Sequence, residues 1–117
     1  MKGQPFLRRL TFALQGLYLA FHREPSLRFH FLAGVGVLLV LLITQPSPIW
    51  WAIGALTIGL VIMAELMNAA LETLADCLHP EQHPEIGAAK DIAAGAVLVV
   101  SAVALLVAIA FVLSLLQ

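Results

Sequence analysis

From Phe29 to Ala64 no side chain carries a formal charge, and from Ile92 to Gln117 none does again. The first of these runs is cut by "TQPSP", Thr44–Pro48, where two prolines stop one helix and let another begin. The pattern therefore predicts spans over 29–45, 49–78 and 86–116, the second continuing past Glu65 until "HPEQHPEIG" turns the chain. At about 1.5 Å rise per residue the first span is near the short limit for roughly 30 Å of hydrocarbon. Open sheet edges cannot be satisfied in lipid, and these runs are too long for barrel strands of about ten residues, so all three are expected to be helices. Ahead of them, residues 5–22 place Phe6, Leu7, Leu10, Leu14, Leu17, Tyr18 and Phe21 on one helical face, with Arg8, Thr11, Gln15 and His22 opposite. Phe12 and Leu19 blur the polar face, but an amphipathic helix lying on the membrane surface is the expected form. The fold class that follows is an all-α integral membrane protein, with three transmembrane helices and an N-terminal surface helix, in a single domain of 117 residues.

Composition strengthens this reading: 62% of residues are hydrophobic and 11% charged, against about 45–50% and about 25% in soluble domains. The placement of charge gives an orientation. Lys2, Arg8, Arg9, Arg23, Arg28 and Lys90 all precede the first span or flank the turn between the second and third, while the "TQPSP" turn and the C-terminus carry no charged side chain. The excess of Lys and Arg puts the first side in the cytoplasm and the C-terminus outside. Trp50 and Trp51 follow the outer turn, as interfacial anchors would. Cys77 is the single cysteine, so no intrachain disulfide is expected, and a net charge of −1 gives no reason to expect a nucleic-acid partner. "HREPSLR" interrupts the N-terminal basic-then-apolar pattern, so no cleaved leader is expected.

The chemistry lies in "MAELMNAALETLAD", Met63–Asp76. On a helix Glu65, Asn68, Glu72 and Asp76 share an arc of roughly 80°. Glu65 falls roughly 24 Å beyond Ile49, just inside the cytoplasmic boundary. A carboxylate there costs on the order of 3 kcal/mol unless it is partnered or protonated. The bland account is polar glue between helices, with Arg28 or Lys90 as partners. Four polar residues in register, followed by Lys90–Asp91 at the start of the third span, favour a functional stripe instead. Carboxylates suit a hard cation, and Mg²⁺ takes a few of them together with water and substrate phosphates. Lys90 offers a point charge for phosphate, and Gly87, Ala88, Ala89, Ala94 and Gly95 keep its helix face open. Phosphoryl transfer at a membrane surface is the chemistry implied, although no P-loop and no protein-kinase motifs are present. His22, His30, His79 and His83 accompany no cysteine set, which argues against zinc, and Gly34 and Gly36 read as helix-packing positions. Two rival classes are an ion-translocating subunit, which wants an isolated carboxyl reached from both sides, and a non-catalytic assembly protein.

"ELMNAALETLAD" followed by "AAKDIAAGAVL", with "GLYLAFHREPSLRFH" upstream, resembles the small prokaryotic diacylglycerol kinase family, which includes undecaprenol kinases. The likeness covers nearly the whole chain, departing at Ala69, where Ser or Thr is usual, and at Ala75, where Val is usual. The resemblance implies a homotrimer whose cytoplasmic sites are shared between neighbours, ATP as donor, Mg²⁺ as cofactor and a membrane lipid alcohol as acceptor. Position by position it implies Glu65 as general base at the lipid hydroxyl, Glu24 and Glu72 as metal ligands holding the triphosphate, Asn68 as an orienting group and Lys90 on the phosphates. Asp76, Glu81, Gln82, His83, Gly87 and Asp91 fall around the nucleotide, with Phe12 where some members have tyrosine. Arg28 and Ala94 fall on the lipid side, and "RFH" together with Ala94–Gly95 resembles the undecaprenol kinase branch more than the diacylglycerol branch.

Overall fold

The computed structural model describes Gly3 and residues 5–117. The chain forms four helices, α1 (Phe6–Arg23), α2 (Pro25–Thr44), α3 (Pro48–Leu78) and α4 (Pro84–Leu115). Prolines punctuate them: Pro25, Pro48 and Pro84 each occupy the first helical position, where the fixed φ is an advantage and the missing N–H is no loss. A single extended residue, Glu24 (φ −112°, ψ 102°), separates α1 from α2. The proline that follows excludes the helical region for Glu24 and so fixes the bend there. Gln45 ends α2 in the left-handed region (φ 46°) and caps it, its Nε2 donating to the Leu42 carbonyl at 2.8 Å.

α2, α3 and α4 are each long and apolar enough to cross a membrane, with mean hydropathies of 2.1, 1.9 and 3.1 over their most apolar stretches. α2 begins four residues before the predicted start at Phe29, which lengthens it to 20 residues, about 30 Å and sufficient to span. Its first turns contain Ser26, Arg28 and His30, and that polarity hid the true helix start.

α3 is the central helix: it packs against α1, α2 and α4, whereas α2 and α4 do not meet. Gly34 on α2 lets Ile58 approach, and Gly54 on α3 lets Leu41 approach, each to 3.1 Å from where a Cβ would stand. Gly36 has no such neighbour and instead lines a cleft of about 570 Å³ between α2 and α4. Its apolar walls include Val37, Ile58, Val107 and Phe111, and Trp50 packs edge-on against Phe111 at 5.2 Å.

Very little of the chain is covered by the chain itself. Among the described residues the buried apolar side chains are Leu27, Leu41, Val61, Ala69 and Ala75, and α1 and α4 bury none. Apolar exposure on this scale needs lipid or further protein against it. Among the described residues the one buried charged residue is Glu65.

Candidate active site

Glu65 is 6% exposed, in the middle of α3 and facing α2. Ser26 Oγ donates to its Oε1 at 2.8 Å, and His30 Nδ1 lies 3.0 Å from the same oxygen. Ser26 and His30 are one helical turn apart, so a single face of α2 presents both to the carboxylate. His30 Nδ1 is also 3.0 Å from the Ser26 carbonyl. The partners proposed from sequence for a glue role, Arg28 and Lys90, are engaged elsewhere. Arg28 Nη1 donates at 3.0 Å to the carbonyls of both Phe21 and His22, capping the last turn of α1. Its placement is that of a clamp between α1 and α2.

The rest of the stripe divides in two. Asn68 Nδ2 is 3.4 Å from Glu72 Oε1, one turn further along. Asn68 Oδ1 is buried with no hydrogen-bond partner. Asp76, exposed near the C-terminal end of α3, pairs with Lys90 Nζ on α4. The α3 register therefore holds, while its carboxylates answer separate neighbours within the single chain. Among the described residues no three His, Cys, Asp or Glu side chains converge on one point. The reason is the rise of about 6 Å between successive members of an i, i+4 series, with each member answering a different neighbour.

Glu24 sits half-buried at the α1–α2 bend. Phe12 is exposed on α1, with the Arg8 guanidinium 6.0 Å from its ring centre. Glu81, Gln82 and His83 lie exposed in the turn between α3 and α4. His83 Nδ1 accepts from the Glu85 backbone N–H at 3.1 Å and so caps α4. Gly87, Asp91 and Ala94 are exposed along the first turns of α4, with open space where a Gly87 side chain would be. Ser26 and the contact of His30 with Glu65 are features that helical periodicity leaves unmarked; an i, i+4 polar pair entering an apolar span is the signal the sequence offers for both.

Magnesium fits the donor set. It prefers hard oxygens and needs only one or two protein carboxylates beside phosphate and water. Glu72 is a carboxylate of that kind, and Asn68 Oδ1 beside it is a buried oxygen acceptor with no hydrogen-bond partner among the described residues.

Residues 11–112 match the family described as prokaryotic diacylglycerol kinase. An undecaprenol kinase of Bacillus subtilis is 33% identical over 102 residues, covering 87% of this chain and 83% of that protein. A diacylglycerol kinase of a Synechocystis species is 36% identical over 97 residues, covering 82% of this chain and 55% of that protein. With a buried carboxylate at the edge of an apolar bundle and the family's sequence running through nearly its whole length, this chain belongs to the prokaryotic diacylglycerol kinase family and is a multi-pass membrane lipid kinase.

Proposed function

We propose that the chain transfers the γ-phosphoryl group of ATP to the hydroxyl of a membrane lipid alcohol at the cytoplasmic face, with undecaprenol favoured over diacylglycerol. The observation that carries this is Glu65: a buried carboxylate at the end of an apolar span, with one oxygen held by α2. A group so placed reaches a hydroxyl that stays near the headgroup plane, while the nucleotide arrives from water. Glu65 accepts the hydroxyl proton as the lipid oxygen attacks phosphorus and the bond to the ADP leaving oxygen breaks. Asn68, one turn nearer the cytoplasm, orients the reacting groups. Lys90, now paired with Asp76, turns to the phosphates when they bind. Glu24 and Glu72 would hold Mg²⁺, which when bound neutralises charge on the β- and γ-phosphates. Phe12, Asp76, Glu81, Gln82, His83, Gly87 and Asp91 border the nucleotide, and Arg28 and Ala94 the lipid. Positioning and charge neutralisation provide most of the acceleration in such transfers, so a P-loop is not required.

The same reading includes a homotrimer with sites completed by neighbouring copies. What supports it is the poverty of the single chain's interior and the wide spacing of its carboxylates. The leaning to undecaprenol rests on the "RFH" and Ala94–Gly95 positions and on the Bacillus relative, whose match covers more of both chains. The deciding experiment is transfer of radiolabelled phosphate from ATP with Mg²⁺ in mixed micelles, offering undecaprenol and diacylglycerol side by side. Labelling of undecaprenol by the wild type, lost in Glu72→Ala protein that keeps its oligomeric state, is the expected result. Preference for diacylglycerol would reverse the substrate assignment, and labelling of neither lipid by folded protein would overturn both.

A further inference from the structure

Resting on the reading of Glu65 as proton acceptor, we infer that Ser26 and His30 are positioning residues which fix the acceptor atom as Oε2, Ser26 by donating a hydrogen bond to Oε1 and His30 by lying against that same oxygen. The donor assignment follows from valence. His30 Nδ1 lies 3.0 Å from the Ser26 carbonyl oxygen and 3.0 Å from Glu65 Oε1. A carbonyl oxygen can only accept, so Nδ1 carries the ring proton and donates it to the Ser26 carbonyl, with the same ring edge lying against Oε1. Ser26 Oγ–H is the hydrogen-bond donor to Oε1, at 2.8 Å. Oε1 therefore already accepts one proton and is shielded by the imidazole, which makes it the wrong atom to take another. Oε2 receives no hydrogen bond from any described residue, and it is not among the buried atoms left without a partner, so it is not sealed off.

The arrangement also survives the reaction. When the lipid O–H proton passes to Oε2, Oε1 becomes the carbonyl oxygen of a neutral carboxylic acid and can keep the Ser26 hydrogen bond. Neither Ser26 nor His30 has to move, and no reorganisation is added to the transfer. Nor does the imidazole have to change charge. His30 further lines the apolar cleft between α2 and α4, so its ring separates the held oxygen from the lipid-facing side.

The test is a kinetic series in mixed micelles with saturating Mg-ATP, using wild type, Glu65→Gln, Ser26→Ala, His30→Leu and His30→Asn. Asparagine places an amide N–H near the position of imidazole Nδ1, whereas leucine keeps bulk and removes the donor. His30→Leu and Ser26→Ala should each lower kcat about tenfold or more, with KM for ATP unchanged, and His30→Asn should recover most of the loss. A structural role would not distinguish asparagine from leucine in that way. Wild-type kcat in both His30→Leu and Ser26→Ala would overturn the inference, as would His30→Asn protein that is folded yet no better than His30→Leu. If instead Glu65→Gln transfers phosphate at the wild-type rate, it is the base assignment itself that fails.

Discussion

Glu65→Gln separates catalysis from architecture at this site, and the geometry sets the size of both effects. Ser26 Oγ donates to Oε1 and His30 Nδ1 lies 3.0 Å from it, so the glutamine carbonyl oxygen takes that position and its NH₂ group falls where Oε2 was. Hydrogen bonds to a charged acceptor contribute about 1.5–3 kcal/mol each and neutral ones about 0.5–1.5. The exchange therefore weakens the Ser26 bond by about 1–1.5 kcal/mol. Removing an ionised carboxylate from the membrane interior recovers about 2.5–3.5 kcal/mol. The two largely cancel, and the variant should unfold in detergent within about 2 kcal/mol of wild type. The amide cannot take a proton, so kcat for lipid phosphorylation should fall by about 10²–10⁴. Initial rates of labelled phosphate transfer, paired with thermal unfolding of the same preparations, measure both quantities. A folded variant with kcat within about tenfold of wild type refutes the base role. A variant that loses its fold refutes the cancellation and makes the carboxylate a structural element.

Three further outcomes follow from other contacts. Arg28→Met removes the donor to the Phe21 and His22 carbonyls and should loosen the end of α1 by about 1 kcal/mol, seen as faster amide hydrogen exchange over Gly16–Glu24 while α3 is unaffected; unchanged exchange refutes the clamp. Gly34→Ala should destabilise by about 1 kcal/mol or more, because its Cβ meets the β-branched Ile58 side chain at 3.1 Å. Gly54→Ala should be nearly neutral in the same unfolding assay, since the atom it meets is the mobile end of Leu41 and helix propensity offsets about 0.8–1 kcal/mol. Lys90→Met should raise KM for ATP about tenfold with the fold intact, whereas Asp76→Asn, which frees the same lysine from its partner, should leave the lysine's phosphate contact in place and raise KM less.

How far the sequence could be read depended on where each polar side chain found its partner. α3 and α4 were legible because their long charge-free stretches can be satisfied only as helices in lipid, and the α3 stripe because i, i+4 spacing is a property of one helix. The start of α2 was not legible, and neither was the division of the stripe, for a shared reason. Ser26, Arg28 and His30 look like loop residues in sequence. Yet Ser26 and His30 answer Glu65, 39 and 35 positions away, while Arg28 answers the end of α1. Polar residues inside a helix that reach across to another element give no periodic signal of their own. This concentration has a mechanical consequence. Within Glu24–His30 the chain bends from α1 to α2 at Glu24, clamps α1 through Arg28 and holds the buried carboxylate through Ser26 and His30. Any shift of α1 is thus delivered to the first turns of α2, and through the Ser26 hydrogen bond and the His30 contact to the one buried charge among the described residues. Arg28→Met is therefore expected to lower kcat as well as loosen α1, although Arg28 contacts neither Glu65 nor Asn68.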